Sequence, residues 1–366
     1  MLPLLKKYTM AIRALSILGL LALFGSFGCE SSHNSNVTRG LSVTGKVGDI
    51  LVICDQGVWN SEIKNYLDTG LTQWIMPYFP DVATFQLVHK TPRHFTQGVK
   101  RYRNTLFINI DPTYEGEAGS IVKRNDVWAI GQIVFDITGK DYNQVLEACK
   151  LGLSEVHNEF DTKEWARIKS KFTLNKNAKI RKEVKQNFGI DLVLPASSKL
   201  VSRRKNFYRI EFPAASRPIE FVGTGTEDIG AIFSGIMIYQ YDYIDSSQFQ
   251  LSALLAARDT MLKYNMPHEI EGMYMGTQYS EFVYPEGNSA TTADRKLNGF
   301  EMRGMFMFKG LPLHSTGGAF WAYHFKNEAT NKMVCVSGYV DAPATTSWTH
   351  PLREIQAILK SVNVVK

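Results

Sequence analysis

Gly48-Asp-Ile-Leu-Val-Ile-Cys54, followed at once by Asp55-Gln-Gly57, is the stretch that decides the fold. A short apolar run ending in turn residues reads as a strand, and Trp59, Ile63, Tyr66 and Leu67 then recur at helical spacing. The pattern repeats: Thr84 to His89 reads as a strand, Thr91-Pro92 caps a helix expected to reach Arg101, and Thr105 to Ile110 is a strand stopped by Asp111-Pro112. The order β-α-β-α-β predicts a mostly parallel sheet. Val127 to Thr138 predicts a longer strand. Tyr142 to Phe160 predicts an amphipathic helix carrying Val145, Leu146, Cys149, Leu153 and Val156. A first α/β domain is therefore expected over residues 48–161.

Residues 162–189 read as a basic linker helix. Its apolar stripe of Trp165, Ile168, Phe172, Ile180, Val184 and Phe188 is interrupted at 175–177, and Gly189 is placed to cap it. From 190 onward the apolar period changes to two, at Ile190, Leu192 and Leu194, Phe207 to Phe212 and Gly235 to Tyr239. Asp245 and Gln248 form a capping box ahead of a helix with Leu254, Leu255 and Leu262 on its apolar face. Phe300 to Phe308, Ala319 to Phe325 and Lys332 to Val340 follow with no helix between them, which predicts an antiparallel sheet. A last helix from about Pro351, with Ile355, Ile358, Leu359 and Val362 at helical spacing, should pack across it. The fold class expected is thus α/β, turning α+β in a second domain at 190–366.

Ahead of the first domain, Lys6, Lys7 and Arg13 precede an apolar run from Ala14 to Phe24 and then Gly28-Cys29. That run is too short for a hydrocarbon core of about 30 Å, so residues 1–28 read as a lipoprotein signal peptide and not as a membrane anchor. Cys29 is the expected lipidation site, with membrane lipid as its partner and 29–47 as a flexible tether. Ser26 and Phe27 are unusual for a lipobox; an ordinary secretory signal or an uncleaved leader is the alternative. The expected location is the cell envelope, at the outer membrane facing the periplasm.

A hydrophobic content of 44% with 12% aromatics places the remaining chain among globular proteins. Charge is unevenly spread: Lys163 to Arg209 carries net +11, leaving −8 on the rest of the chain after the signal. Lys169, Lys171, Lys176, Lys179, Arg181, Lys182 and Lys185 form a candidate basic surface for anionic lipid headgroups, an envelope protein or an anionic polymer, the alternative being a solvated helix. Nucleic acid is not an expected partner outside the cytoplasm. Cys54, Cys149 and Cys335 show no metal-knuckle spacing and read as buried free thiols, with a Cys54–Cys149 disulfide as the lesser alternative.

Gly40-Leu-Ser-Val-Thr-Gly45-Lys46 matches a phosphate loop only until Val47, and it precedes a strand where such a loop must follow one. Gly223 to Gly230 has dinucleotide-loop glycines at the wrong spacing and reads as a turn. No cofactor and no metal site is implied. Asp55 and Asp111 fall just beyond strand ends, where open α/β sheets bind ligands, with Trp59 over the same crevice; capping of turns is the plainer role for both. Glu301, Arg303 and Lys309 lie opposite the apolar stripe of their strand, a face expected to be covered by a helix with Arg303 paired to a carboxylate. His314, His324 and His350 would make a site only by converging.

Arg103-Asn104, Asp111-Pro112, Asn125-Asp-Val-Trp-Ala129 with Gln132, Phe188-Gly-Ile190, Gly338-Tyr-Val-Asp-Ala-Pro343 and Arg353-Glu-Ile-Gln-Ala-Ile-Leu359 together resemble the Bacteroidota lipoproteins called domain of unknown function 4837. The resemblance is expected from about Gly48 to the C-terminus, and it implies location and lineage, not activity. Asp341, inside one of these motifs, joins Asp55, Trp59, Asp111 and Arg303 as a candidate ligand-binding residue. In architecture the second half resembles Mog1/PsbP-like domains, which often serve as binding or assembly modules. The function expected is a lipid-anchored envelope protein acting as a non-catalytic binding or assembly factor. The alternative is a hydrolase-like envelope enzyme using the strand-end aspartates or the histidines.

Overall fold

The computed structural model describes residues 40–365 apart from 175, 221–226, 293–296, 311–316 and 343–346. The signal peptide, Cys29, His314 and the first half of the 223–230 stretch therefore lie outside the described residues. The apolar run at the start of the first domain forms β1 (Asp49–Ile53), buried at every position. It leads through a single turn, α1 (Gln56–Trp59), into α2 (Glu62–Leu71), whose first N–H groups are capped by the Ser61 hydroxyl. Then come β2 (Gln86–Lys90), β3 (Asn104–Ile110), β4 (Ser120–Asn125), β5 (Ile133–Gly139) and α3 (Tyr142–Leu174). The strands pair in the order β2-β1-β3-β5-β4, the first four parallel and β4 antiparallel, with α2 and α3 closing one core.

Four local expectations are corrected. The helix foreseen from Thr91 to Arg101 is only a three-residue 3-10 turn (Pro92–His94), and beyond it Phe95 packs edge-on against Phe107 and Trp128. The single strand foreseen over Val127 to Thr138 is the tip and second arm of a hairpin whose first arm is β4. Asp126 takes a left-handed φ of 52° and its carboxylate accepts from Gly131 N, while the Gln132 amide accepts from Trp128 N and donates to Lys100 O and Tyr102 O. The end of the tether is folded: Thr44 N donates to Arg101 O and Arg103 N donates to Thr44 O, which also rules out a phosphate loop there. Finally, the helix expected to stop at Phe160 runs on to Leu174, about 50 Å in all.

That long helix changes cores midway. Val145 to Phe160 pack on the first sheet, whereas Ile168 and Phe172 enter a second core with α4 (Ala178–Phe188). The foreseen break falls between these helices, where Asn177 caps α4 by accepting from Ile180 N. Gly189, at φ 64°, ends α4 in the left-handed conformation that a Cβ disfavours, its N–H donating to Lys185 O.

The period-two half supplies β6 (Ile190–Asp191), β7 (Lys199–Arg204), β8 (Phe207–Glu220), β9 (Glu227–Asp242), α5 (Leu251–Asn265), β10 (Tyr274–Thr277), β11 (Glu286–Thr291), β12 (Asn298–Lys309), β13 (Gly317–Asn327), β14 (Lys332–Asp341), α6 (Thr349–Lys360) and β15 (Asn363–Val364). Glu227 to Gly230 belong to β9 and pair with β8, so no dinucleotide helix follows those glycines. An antiparallel sheet runs β10-β12-β13-β14-β9-β8-β7, with β11 also on β12. The α5 capping box forms as the sequence predicts, on the 3-10 turn that leads into the helix. α6 lies on one sheet face and α5 on the other. Gly338 permits the close approach of α6: a Cβ there would stand 2.2 Å from Ile355 Cγ2. Among the described residues no helix is long and apolar enough to cross a membrane.

Candidate functional site

The strand-end aspartates are both exposed, and Asp111 is occupied locally. Asp55 precedes α1, and Asp111 accepts from Thr113 N (2.9 Å) and Thr113 Oγ1 (2.6 Å), bonds that hold its carboxyl below the ordinary range. Trp59 stacks on His89 of β2, ring centroids 4.4 Å apart, with Lys64 over its other side. Because β2 and β3 flank β1 on opposite sides, this places Trp59 away from Asp111.

The second-half candidates are divided by the sheet itself. Arg303 and Trp321 face α6, while Asp341 shares the α5 face with Tyr339. Burial pushes the Asp341 carboxyl up, and His268 opposes this. His324 is fully buried on the α5 face, 3.5 Å from Cys335 Sγ, and burial together with Arg258 lowers it to about 3. His350 is on α6, paired with Glu354 at 3.2 Å. His324 and His350 thus lie on opposite sides of the sheet. Arg258 fills the space beside His324, stacked 3.6 Å from the Phe320 ring centroid and donating to Ser337 Oγ. All three described cysteines are free and buried. No group of three or more metal-ligating side chains occurs among the described residues.

The basic surface separates into two roles. Arg181 grips Asp191 through Nε and Nη2, and Lys185 reaches the same carboxylate at 2.9 Å, fixing α4 to β6. Together with Lys169, Ser361 and Asn363, Arg181 and Asp191 border a polar hollow of about 320 Å³. Lys171, Lys176, Lys179 and Lys182 instead are exposed to solvent. Leu174, the last residue of α3 and between Lys171 and Lys176 in sequence, is 81% exposed.

A cleft of about 260 Å³ opens where α3, α6, β12, β13 and the 73–84 loop meet, and most of its polar groups escaped sequence reading. Ile75, Tyr78 and Val82 of that loop are buried in the second core, and Tyr78 Oη donates to Phe320 O at 3.0 Å. Arg353 closes one wall: Nη1 donates to Asp161 Oδ1 (2.6 Å), Nε and Nη2 to Thr84 O, and the guanidinium stacks on Phe85. His157 bonds Thr84 Oγ1 at 3.0 Å, and burial lowers its pKa. Across the cleft Arg303 covers the Trp321 ring, with Glu301 the nearest carboxylate at 4.0 Å, too long for a hydrogen bond. The expected carboxylate partner of Arg303 is thus Glu301, at ion-pair distance and not at hydrogen-bond distance, and the Trp321 ring contact adds to it.

The sequence motifs around Arg103 are structural. Glu164, fully buried on α3, accepts from Arg103 Nη1 (2.7 Å) and Asn104 Nδ2 (2.8 Å) and pairs with Arg167 at 3.0 Å. Arg167 also donates to Asn104 Oδ1, Arg103 O and Gly131 O, tying the β4–β5 hairpin to α3.

With this geometry in hand, the family Domain of unknown function (DUF4837) matches residues 177–361, half of the chain. The chain belongs to the DUF4837 family. A second family, Domain of unknown function (DUF8532), matches residues 43–173. The DUF4837 match thus begins at α4 and not near Gly48, and the motifs at Arg103, Asp111 and Asn125 lie in the DUF8532 segment. A comparison with curated proteins returns no match. Among solved structures this DUF4837 chain is similar to the Ran-binding protein Mog1p of Saccharomyces cerevisiae, at 12% identity and a TM-score of 0.29, over 49% of this chain and 91% of that one. It is also similar to the cyanobacterial PsbP (CyanoP) of Synechocystis sp. PCC 6803, at 9% identity and a TM-score of 0.25, over 48% and 86%.

Proposed function

We propose that this chain is a lipid-anchored binding or assembly factor of the cell envelope, held by acylated Cys29 at the outer membrane on its periplasmic side and acting without catalysis. The observation that carries the reading is a run of solvent-exposed cations, Lys171 at the end of α3, Lys176 just before α4 and Lys179 and Lys182 on α4, with the exposed Leu174 between them in sequence. Four exposed cations close in sequence to an exposed apolar side chain suit a partner that is acidic with an apolar contact point, as an envelope protein or an anionic polymer supplies. Near an anionic surface each such residue contributes about 1 kcal/mol, so four engaged together would be worth about three orders of magnitude in affinity.

Two comparisons test the reading. Cys29→Ser is expected to move the protein from the membrane to the soluble fraction; retention in the membrane contradicts the anchor. Crosslinking in the native envelope, read by mass spectrometry, is expected to capture a reproducible partner that the K171E/K176E/K179E/K182E variant loses. Arg181 stays unaltered, because its pairing with Asp191 holds α4 in place. A partner kept by the variant contradicts the proposed face.

A further inference from the structure

We propose that the cleft between α6 and the 73–84 loop is a binding site for a neutral saccharide ring, independent of the lysine face. The two arginines of the cleft differ in what they have left to give. Arg353 is 2% exposed and its donors go to Asp161 and to Thr84 O. Arg303 keeps about a quarter of its side chain exposed, and among the described residues its side chain makes the Trp321 ring contact and the 4.0 Å approach to Glu301. Its fork of N–H donors is therefore held in place by a ring but not consumed by an acceptor.

Glu301, Arg303 and Gln356 present planar groups with paired donors or acceptors, the form that matches two neighbouring hydroxyls. Trp74 is 60% exposed while lining the same cleft, and supplies a flat apolar surface to a lining that is otherwise largely polar. A pyranose has that same duality, an apolar face of C–H groups and a rim of hydroxyls. The charges favour a neutral ligand over an ionic one, since Arg353 is balanced by Asp161 and Arg303 stands beside Glu301. The volume of about 260 Å³ falls below the roughly 300–1,000 Å³ of drug-sized pockets, which suits a single ring. His157 also lines the cleft, its Nε2 bonded to Thr84 Oγ1 at 3.0 Å.

Tryptophan fluorescence of the detergent-solubilised full chain tests this, with glucose, galactose, mannose and N-acetylglucosamine as neutral probes and acetate and phosphate as anionic ones. At least one sugar is expected to give a saturable change, weakened tenfold or more by Arg303→Ala and by Glu301→Gln. Trp74→Ala, at an exposed position, is expected to weaken the same binding when followed by calorimetry, with the thermal midpoint unchanged. The four-lysine variant is expected to bind sugar like the wild type. Three results would overturn the proposal: no response to any of the four sugars, sugar binding that survives Trp74→Ala and Arg303→Ala, or saturable binding of an anion in place of the sugars.

Discussion

Replacing Glu164 by Gln should lower the thermal midpoint by several degrees. The carboxylate is fully buried and serves Arg103, Asn104 and Arg167 at 2.7–3.0 Å, with the two arginine side chains only 14% and 13% exposed. Gln preserves the shape but removes the carboxylate that both guanidiniums contact directly, leaving Asp126 beside Arg167 and Asp49 beside Arg103 as the farther charges. Breaking a buried pair from one side costs about 3–5 kcal/mol, because the remaining charge stays desolvated. At about 2.1 cal/mol/K per residue, the unfolding entropy of the folded body is about 0.7 kcal/mol/K, so the shift should be about 4–7 °C. Glu147→Gln on the same helix is the control: Glu147 pairs with Lys150 at the surface, and its loss should shift the midpoint by about 1 °C or less. Calorimetry or circular dichroism melting reads both. Equal shifts for the two variants, or a Glu164→Gln midpoint within 1 °C of wild type, would refute the argument.

Two further outcomes follow from burial. His324 is lowered to about 3 in the folded protein against about 6.5 unfolded. Between those values the unfolded chain binds the extra proton, so stability falls as pH drops below about 6.5, by up to about 1.4 kcal/mol per pH unit. His324→Phe should flatten the melting midpoint between pH 6.5 and about pH 4, leaving a residual slope from His157, which burial shifts the same way; parallel profiles for variant and wild type would show that His324 does not titrate in this manner. Burial pushes the thiols of Cys54, Cys149 and Cys335 up to about 12, so a maleimide at pH 7.5 should label them only after denaturation. Rapid labelling of the native protein would contradict their burial.

Much of the architecture was legible because apolar periodicity survives in single segments. β1, β12, β13, β14 and α6 lie within a few residues of their expected places, and Gly189 caps α4 as the sequence predicts. Where side chains at a distance decide the backbone, the pattern misleads. Val127 to Ala129 look strand-like, yet the Asp126 and Gln132 side chains fold them into a turn. The 73–84 loop has no period at all. Its dense apolar content, Trp74-Ile-Met-Pro-Tyr-Phe-Pro80, was the available sign that it buries in a second core. Of the candidate residues, Arg303 was found, but its companions Trp74, His157, Asp161 and Arg353 come from three other parts of the chain. Nothing in their local spacing links them. Among the basic residues, charge counting located the surface but did not separate Arg181 and Lys185, spent on Asp191, from the four exposed lysines.

The most direct test of the binding role is a photoreactive amino acid placed at position 174 and activated in the intact envelope. Leu174 is 81% exposed and lies between Lys171 and Lys176 in sequence, so a probe there leaves the core untouched and reports what meets this basic stretch. A single reproducible adduct, abolished when the four lysines become glutamate and retained when they become arginine, is the predicted result. An adduct indifferent to those charges, or none at all from position 174, would contradict it.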